Sequence, residues 1–398
     1  MTDKEKEQKC ASVGICFRTP TQTGDNGVLF DFNSGLAIKI SKDSPKRRVK
    51  IIDLDAMLQV WDGVVDSGQC IETLRRHYVR WRFVVLDVTS GAVVFQHDYD
   101  AKNKDVVIIS ATTAIGDTVA WMQHMELFRQ KHGCNLTVRI ANCLTSVFEK
   151  TYPRITFDRS DNPPQDVYAT YAIAFYPPES FRFQPVDQIY AGVHGTAAYT
   201  LGLPPDAIRP RVDISASRQI NEKYVVIATH ATCHAKHWNF PGGWNDVCRW
   251  IKDTYGFRII CIDKEKVDGF AGVYHDIPSE AEDLTGSVPL QERINIIKDA
   301  EFFIGLASGL SWLAWACHVP VVMISGFSHP CIEFPTPYRI VNFNECNSCW
   351  GEHQRFGWDF LTCPRLAGTK KQFICSTAIT PFMVKSTIEN LMKDKIQK

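Results

Sequence analysis

The stretch that decides the fold is EFFIGLASGLSWLAWACHVPVVMISG, residues Glu301 to Gly326. It carries one charge, at its start, and its length and hydrophobicity would also suit a membrane span of about 20 apolar residues. The small residues at 307–309 instead predict a tight turn between a buried strand and a short helix, and Pro320 marks where that helix must stop. Strand, glycine–serine turn, helix and strand form half of a nucleotide-binding unit, whose helix start offers free N–H groups to a phosphate. We therefore predict a buried strand–helix–strand unit and no membrane span.

The composition narrows the class of protein. A chain of 398 residues is long enough for two or three domains with a full core. Its 44 basic and 44 acidic residues balance, which argues against nucleic acid or an anionic membrane as the main partner. The N-terminus, MTDKEKEQKC, has no apolar segment typical of a secretory signal. Most of the 14 cysteines sit singly inside apolar runs, which predicts free thiols in a reducing cytoplasm rather than a disulfide framework.

The N-terminal quarter of the chain is rich in short apolar runs separated by turn sequences such as Asn33-Ser34-Gly35. This pattern predicts a β-rich domain, a small barrel or sandwich that serves assembly or acceptor docking. One helix is predicted within it, at about Gln69–Val79.

From Val106 the pattern changes to buried strands that alternate with helices, and the proline-rich stretch Gly202–Arg211 divides them into two series. Two such series predict two parallel sheets facing across a cleft, with ligands at the carboxyl ends of the strands. A last helix beginning at Pro381 is expected to return to the first half. The predicted domains are 1–104 (β-rich), 105–211 (first Rossmann-like), 212–345 (second Rossmann-like), 346–376 (four-cysteine metal finger) and 377–398 (C-terminal helix).

Asp117 is the candidate catalytic residue of the first half. It lies where the first strand of that half gives way to its helix. A carboxylate at this place can simply cap the helix, and local sequence favours that role. The alternative is a general base that projects into the cleft and takes a proton from an incoming hydroxyl.

The loop THATCHAKHWNF, residues Thr229 to Phe240, follows the first strand of the second half. Its histidines and Cys233 superficially resemble a metal site, but a hydroxyl- and amine-rich loop at a strand end more often binds anions. Lys236 is then the candidate cation for a diphosphate, with a solvated surface lysine as the alternative. Asp263 and Glu265 end the next strand, where an acid often bonds ribose hydroxyls; a solvated loop charge is equally compatible.

Four cysteines near the C-terminus form the strongest local pattern, C-x2-C-x13-C-x11-C. Four soft ligands that begin with a CxxC knuckle suit a closed tetrahedral metal site, and the chemistry alone favours structural zinc. Free thiols or a redox CxxC are the alternatives. The cysteines are Cys346, Cys349, Cys363 and Cys375.

Six short motifs, taken in order, resemble the ADP-heptose-using glycosyltransferases. The β-rich N-terminus and the four-cysteine insert make the resemblance closest to the bacterial autotransporter heptosyltransferases rather than to the lipopolysaccharide-core enzymes. The motifs are IGDT at Ile115–Thr118, KHW at Lys236–Trp238, LTG at Leu284–Gly286, then Leu290–Glu292, GLSWLAWA at Gly309–Ala316, and Pro320 with its strand.

The resemblance implies an α/β GT-B glycosyltransferase with an N-terminal β extension. It implies transfer of heptose from ADP-glycero-manno-heptose to serine hydroxyls of an autotransporter passenger, by inverting single displacement in the cytoplasm. It also implies iron rather than zinc at the four cysteines, and a large homo-oligomer such as a dodecamer. Another nucleotide-sugar transferase acting on a glycan or lipid, and a metal-dependent assembly scaffold without turnover, are the alternatives.

The resemblance also assigns roles to residues. Asp117 would be the general base, and Lys236 with the turn at Ser308–Ser311 would hold the diphosphate. One departure is Ala307, where lipopolysaccharide enzymes tend to carry an acid. The full set of candidate donor-binding residues is Thr229, Lys236, Trp238, Asp263, Glu265, Ser308, Gly309, Leu310 and Ser311.

Overall fold

The described part of the N-terminal region, from residue 13 onward, contains nine strands. The structure, a computed structural model, describes residues 13–160, 164, 166–176, 182–270, 273–352 and 363–397. The first nine strands are β1 (Val13–Cys16), β2 (Gln22–Thr23), β3 (Val28–Asn33), β4 (Ala37–Ile40), β5 (Arg47–Asp53), β6 (Leu58–Val65), β7 (Cys70–Thr73), β8 (Trp81–Asp87) and β9 (Val93–Asp98).

The first α/β half follows directly. The hydrophobic runs predict three of its strands, β10, β11 and β13, but not the short strand β12. Gly133 ends the long first helix in the left-handed conformation (φ 61°), and its N–H donates to the carbonyl of Arg129. The elements are β10 (Asp105–Ser110), α1 (Ile115–His132), β11 (Asn135–Arg139), α2 (Asn142–Phe148), β12 (Ile155–Phe157), β13 (Ala169–Ile173) and α3 (Gln188–Thr200).

The β-rich region is not a closed barrel beside this half. Strand β3 pairs in parallel with β13, Phe32 opposite Ala169, so that one sheet runs β1-β7-β4-β3-β13-β10-β11-β12, with β2 on β3. Strands β6-β5-β8-β9 form a second, antiparallel sheet, and one apolar core joins the two sheets. The predicted boundary at residue 104 therefore falls inside a continuous sheet and core, while the boundaries at 211, 345 and 376 stay predictions.

Two expectations for the N-terminal region are wrong. Residues 70–73 form strand β7 instead of a helix, because they lie between β1 and β4 and pair with both. Cys16 and Cys70 stand opposite each other on β1 and β7 and form a disulfide. Most of the other cysteines that the structure describes are free thiols.

The second α/β half has the order β18-β15-β14-β19-β20-β21, all in parallel, with a separate hairpin β16-β17. Every side chain of β14, β19 and β20 is buried, so the strand–helix–strand prediction is confirmed. The elements are β14 (Tyr224–Ala228), α4 (Gly243–Tyr255), β15 (Arg258–Cys261), β16 (Val267–Phe270), β17 (Val273–Asp276), β18 (Glu282–Asp283), α5 (Leu290–Ile297), β19 (Phe303–Leu306), α6 (Gly309–Ala316), β20 (Val321–Ile324) and β21 (Arg339–Ile340).

The described C-terminal residues include two helices, α7 (Ile374–Thr377) and α8 (Pro381–Ile396). Thr380 caps α8 by accepting a hydrogen bond from Met383 N at 3.4 Å. The apolar stripe of α8 packs into the core of the second half, against α4, β20 and β21, so the expected return to the first half is wrong. No helix among the described residues is long and apolar enough to cross a membrane.

Candidate active site

The first turns of α1 and α6, one from each half, touch each other. A Cβ at Gly116 in α1 would stand 2.8 Å from Trp312 Cδ1 of α6, and a Cβ at Gly309 would stand 2.7 Å from Ile115 Cβ. Only glycine permits so close a crossing at these two positions. Two helix N-termini, each with unpaired N–H groups and a partial positive charge, therefore lie side by side between the halves.

Asp117 lies at this crossing. Ala114 precedes the helix, and no side-chain cap bond is made there, so Asp117 does not cap α1. The Thr112 hydroxyl accepts a hydrogen bond from Ala114 N at 3.0 Å and donates to Asp117 Oδ2 at 3.3 Å. Burial raises the pKa of Asp117 to about 6, although the nearby Lys236 ammonium and the Thr112 bond act in the opposite direction. A carboxylate with this pKa is roughly nine-tenths ionised at pH 7 and is a strong enough base to take a proton.

Lys236 faces Asp117 from the other half. It ends a short 3-10 turn, His234–Lys236, that follows the carboxyl end of β14, and its ammonium is close enough to Asp117 to lower the pKa of that carboxyl. The structure therefore brings together the two residues for which the sequence predicted the central roles. Their roles as base and diphosphate cation remain predictions.

The α6 turn offers fewer donors than the sequence suggested. Ser311 is fully buried, its hydroxyl donates to the Leu306 carbonyl at 2.6 Å, and its N–H donates to the Ser308 carbonyl at 3.1 Å. The N–H groups that a phosphate can reach are thus those of Gly309 and Leu310, the first two helical residues.

Thr229 and Asp263 form hydrogen bonds with each other and are not open to solvent. The Thr229 N–H and hydroxyl donate to Asp263 Oδ2 at 2.7 and 3.0 Å, and His230 N donates to Oδ1 at 3.2 Å. Through these bonds the Asp263 carboxylate, which follows β15, is held to the segment that follows β14. Asp263 is only 2% exposed. The Glu265 side chain is exposed, and its Oε1 lies 3.9 Å from Lys264 Nζ. Of the two acids predicted to bond a ribose, Glu265 is therefore the one open to solvent.

Arg293 is a residue of this site that the sequence analysis missed. Its guanidinium is buried and donates to the carbonyls of Ile262, Asp263 and Gly286. Burial lowers the pKa of Arg293. This fork holds the loop after β15 to the LTG turn. The available signal was a lone basic residue on the otherwise apolar face of α5 formed by Leu290, Ile294 and Ile297.

Trp238 has a supporting position. The ring is 2% exposed, and Nε1 donates to the Ile379 carbonyl at 2.8 Å. The KHW motif thereby ties the Lys236 loop to the C-terminal segment.

The four cysteines are gathered in one place. Cys349, Cys363 and Cys375 are buried, and Cys346 is partly exposed. Burial raises the pKa of Cys375 to about 12, and its neighbours Cys363 and Cys346 add to the effect; the pKa of Cys349 is raised by burial and then by Cys375 and Cys363. Four soft thiols within electrostatic reach of one another are the ligand type of a thiolate-bound metal. In this structure, however, no three of these described cysteines stand at the spacing of ligands around one ion. Residues 346–352 and 363–376 are called the four-cysteine segment below.

A second candidate metal group, the histidines of the Lys236 loop, is also clustered. The His237 ring lies 5.5 Å from that of His234 and 4.5 Å from that of His275, measured between centroids. Within the described part of the chain, however, no three Cys, His, Asp or Glu side chains stand at the spacing of ligands around one ion.

A cavity of about 690 Å³ opens at the carboxyl ends of β10 and β11. Thr112, the residue that bonds to Asp117, forms part of its wall, together with Arg139, Asn142 and Arg159. Every residue that lines it belongs to the first half.

Comparisons with known proteins agree with this architecture. Residues 200–352 match glycosyltransferase family 9 (heptosyltransferase), and residues 24–89 match the N-terminal domain of glycosyltransferase TibC. The chain is 39% identical over 376 residues to the autotransporter heptosyltransferase TibC of Escherichia coli O78:H11, covering 94% of this chain and 92% of TibC. The chain belongs to the autotransporter heptosyltransferase family. The family also includes a Burkholderia thailandensis protein, BimC, described as an inactive autotransporter heptosyltransferase and 34% identical over 94% of this chain and 88% of its own.

Solved structures of family members superpose closely on this one. The crystal structure of TibC from enterotoxigenic Escherichia coli H10407, described as an iron-containing dodecameric glycosyltransferase, gives a TM-score of 0.89 at 38% identity, covering 95% of this chain and 99% of that one. A TibC complex with ADP-D-β-D-heptose gives the same TM-score at 37% identity and the same coverage. The mixed α/β glycosyltransferase fold of this chain is therefore that of a known heptose-binding enzyme.

Proposed function

We propose that this protein transfers heptose from ADP-glycero-manno-heptose to serine hydroxyls of an autotransporter passenger. The observation that carries the proposal is the pair Asp117 and Lys236, a carboxylate of raised pKa and an ammonium that face each other across the cleft. In this proposal Asp117, from the first half, is the base for the acceptor, and Lys236, from the second half, is the cation for the donor diphosphate. We also propose that the two α/β halves form a GT-B enzyme, with the donor in the second half.

The donor side follows from charge. The diphosphate binds Lys236 and the N–H groups of Gly309 and Leu310 at the start of α6. As the bond to the sugar breaks, negative charge builds on the departing ADP, and the anomeric carbon becomes cationic. Fixed positive groups at the diphosphate therefore stabilise the transition state more than the bound donor.

The acceptor side follows from position. The cavity beside Thr112 receives the passenger segment, and a serine hydroxyl extends from it towards Asp117. Asp117 takes the hydroxyl proton as the oxygen attacks the anomeric carbon from the face opposite the diphosphate. One displacement of this kind inverts the configuration at the sugar carbon.

The four-cysteine segment is the proposed site of a structural metal. Cys346, Cys349, Cys363 and Cys375 would hold iron, as the description of the TibC crystal structure suggests, with zinc as the alternative. A four-cysteine set fills the metal's coordination sphere, so the metal would stabilise the fold rather than take part in transfer. We further propose a homo-oligomer of the dodecameric kind and a cytoplasmic location, where the donor would be available before the passenger is exported.

The test is the intact mass of a serine-rich passenger co-expressed with this protein in a host that makes ADP-heptose. Wild type should add heptosyl masses, and Asp117→Asn should add none. Asp213→Asn, the same substitution at a surface ion pair, is the matched control and should still add heptosyl masses to the passenger. An unmodified passenger from the wild-type culture, with the donor confirmed in the host, would refute the proposed acceptor.

Two other functions remain as competitors. An assembly scaffold without turnover is favoured by one observation, the description of the relative BimC as inactive; it predicts oligomers but no transfer. A transferase for another nucleotide sugar predicts that a UDP- or GDP-sugar stabilises the protein more than ADP-heptose does at equal concentration. A thermal-shift series over ADP-, UDP- and GDP-sugars, followed by the transfer assay, separates all three.

A further inference from the structure

The four-cysteine segment packs directly against the turn that carries Lys236. Cys233, which precedes that turn, and Ala235, which lies within it, belong to one apolar cluster with Cys349 and Cys363. The segment that would hold the metal therefore packs against the turn that carries Lys236, the proposed cation for the donor diphosphate.

Asn239 forms a polar link between the Lys236 turn and the four-cysteine segment. Its Nδ2 lies 3.1 Å from the His234 carbonyl and 3.0 Å from the His237 carbonyl, so it bridges both ends of the turn. The same atom lies 2.9 Å from the hydroxyl oxygen of Ser376, which also accepts from Asn239 N at 3.2 Å. Ser376 follows Cys375 directly in the chain and is 3% exposed.

We propose that Asn239 and Ser376 are positioning residues that fix the direction of the Lys236 ammonium. The inference rests on the proposed function, because it takes Lys236 as the diphosphate ligand. A lysine side chain is flexible and presents a point charge, so its backbone must be held if the ammonium is to stand ready for the diphosphate. Without the amide at 239, the two carbonyls of the turn lose their common partner. The only one of these bonds that then still reaches Ser376 is the one donated by the backbone N–H of residue 239.

The experiment measures the Kd of ADP by calorimetry on the full-length, metal-loaded protein. Asn239→Ala should weaken ADP binding about tenfold, the scale of one or two lost hydrogen bonds. Ser376→Ala should weaken it less, and Ser376→Thr, which keeps the hydroxyl, should restore it. Asn342→Ala is the matched control, since Asn342 Nδ2 donates to the Ala378 carbonyl at 3.0 Å beside the same segment but makes no bond to the Lys236 turn. It should leave the Kd unchanged.

A double-mutant cycle separates positioning from general support. In a Lys236→Met background, Asn239→Ala should have little further effect on ADP binding, because the group it orients is gone. The metal content per chain should stay that of the wild type throughout.

Equal fold-losses in the wild-type and Lys236→Met backgrounds would overturn the inference, as would an affinity loss that follows the loss of metal. A wild-type protein that does not bind ADP would instead refute the proposed donor site, and the inference with it.

Discussion

Replacing Asp117 by asparagine should make the protein more stable while removing its activity. The pKa of Asp117 is raised from an ordinary 3.8 to about 6. Since each pKa unit is worth about 1.4 kcal/mol, the ionised carboxylate costs the folded state up to about 3 kcal/mol. The side chain retains some exposure to solvent, which reduces the expected gain of Asp117→Asn to about 1–2 kcal/mol.

The gain should depend on pH in a defined direction. The folded protein holds the Asp117 proton more tightly than the unfolded chain does, so the cost of ionisation is full above about pH 6 and absent below about pH 4. Wild type and Asp117→Asn should therefore differ most at pH 7–8 and converge as the pH falls from 6 to 4.

The assay is denaturant-induced unfolding of both proteins at several pH values, read as the difference in midpoint. Asp213→Asn is the control of opposite sign, since hydrogen bonds from Lys150 and Ser215 hold the pKa of Asp213 below its usual range. It should destabilise at neutral pH, with the loss fading in acid. A neutral or destabilising Asp117→Asn at pH 8, or a gain that does not fade below pH 6, would refute the argument that burial raises this pKa.

Three further outcomes test other parts of the structure. Arg293→Lys should lower the unfolding midpoint, because lysine lacks the fork that reaches three carbonyls and each buried carbonyl left unpaired costs about 1–3 kcal/mol; a midpoint within error of wild type would contradict this. Gly116→Ala should lower Tm, because its Cβ would stand 2.8 Å from Trp312 Cδ1, whereas Gly195→Ala, with its nearest atom at 3.4 Å, should be tolerated; equal effects would remove the argument for a tight crossing. Elemental analysis should find about one iron per chain, and Cys363→Ser or a chelator should remove it and lower Tm; metal-free protein of unchanged Tm would rule out a structural metal.

The hydrophobic runs predict most strands and helices of the two α/β halves in the correct order, because the apolar pattern of each element lies within its own local sequence. Pairing between distant strands has no such signal: nothing in the segment around Phe32 indicates that it aligns with Ala169. Local sequence predicts a helix at residues 70–73, because their strand partners, β1 and β4, are distant in the chain. The apolar stripe of α8 was recognised, but a stripe does not specify which core it joins.

The candidate site likewise has residues that local sequence predicts and residues whose contacts depend on the fold. Asp117 and Lys236 are predictable because each lies in the segment that follows a buried strand, and ligands bind outside the carboxyl ends of parallel strands. The spacing of residues in the sequence does not show which polar groups already have a hydrogen-bond partner in the folded protein. The hydroxyl of Ser311 is used within its own turn, and Asp263 is held by the loop after β14. Arg293 was missed because a single arginine on a helix carries no motif.

The most direct test of the central claim compares donor binding with transfer in two variants of the purified protein. If Asp117 is the base and Lys236 the diphosphate ligand, Asp117→Asn should bind ADP-heptose as tightly as wild type while transfer to the passenger falls by about 10²-fold or more. Lys236→Met should lose donor affinity. Transfer that survives in Asp117→Asn, or an equal loss of donor affinity in both variants, would contradict the account.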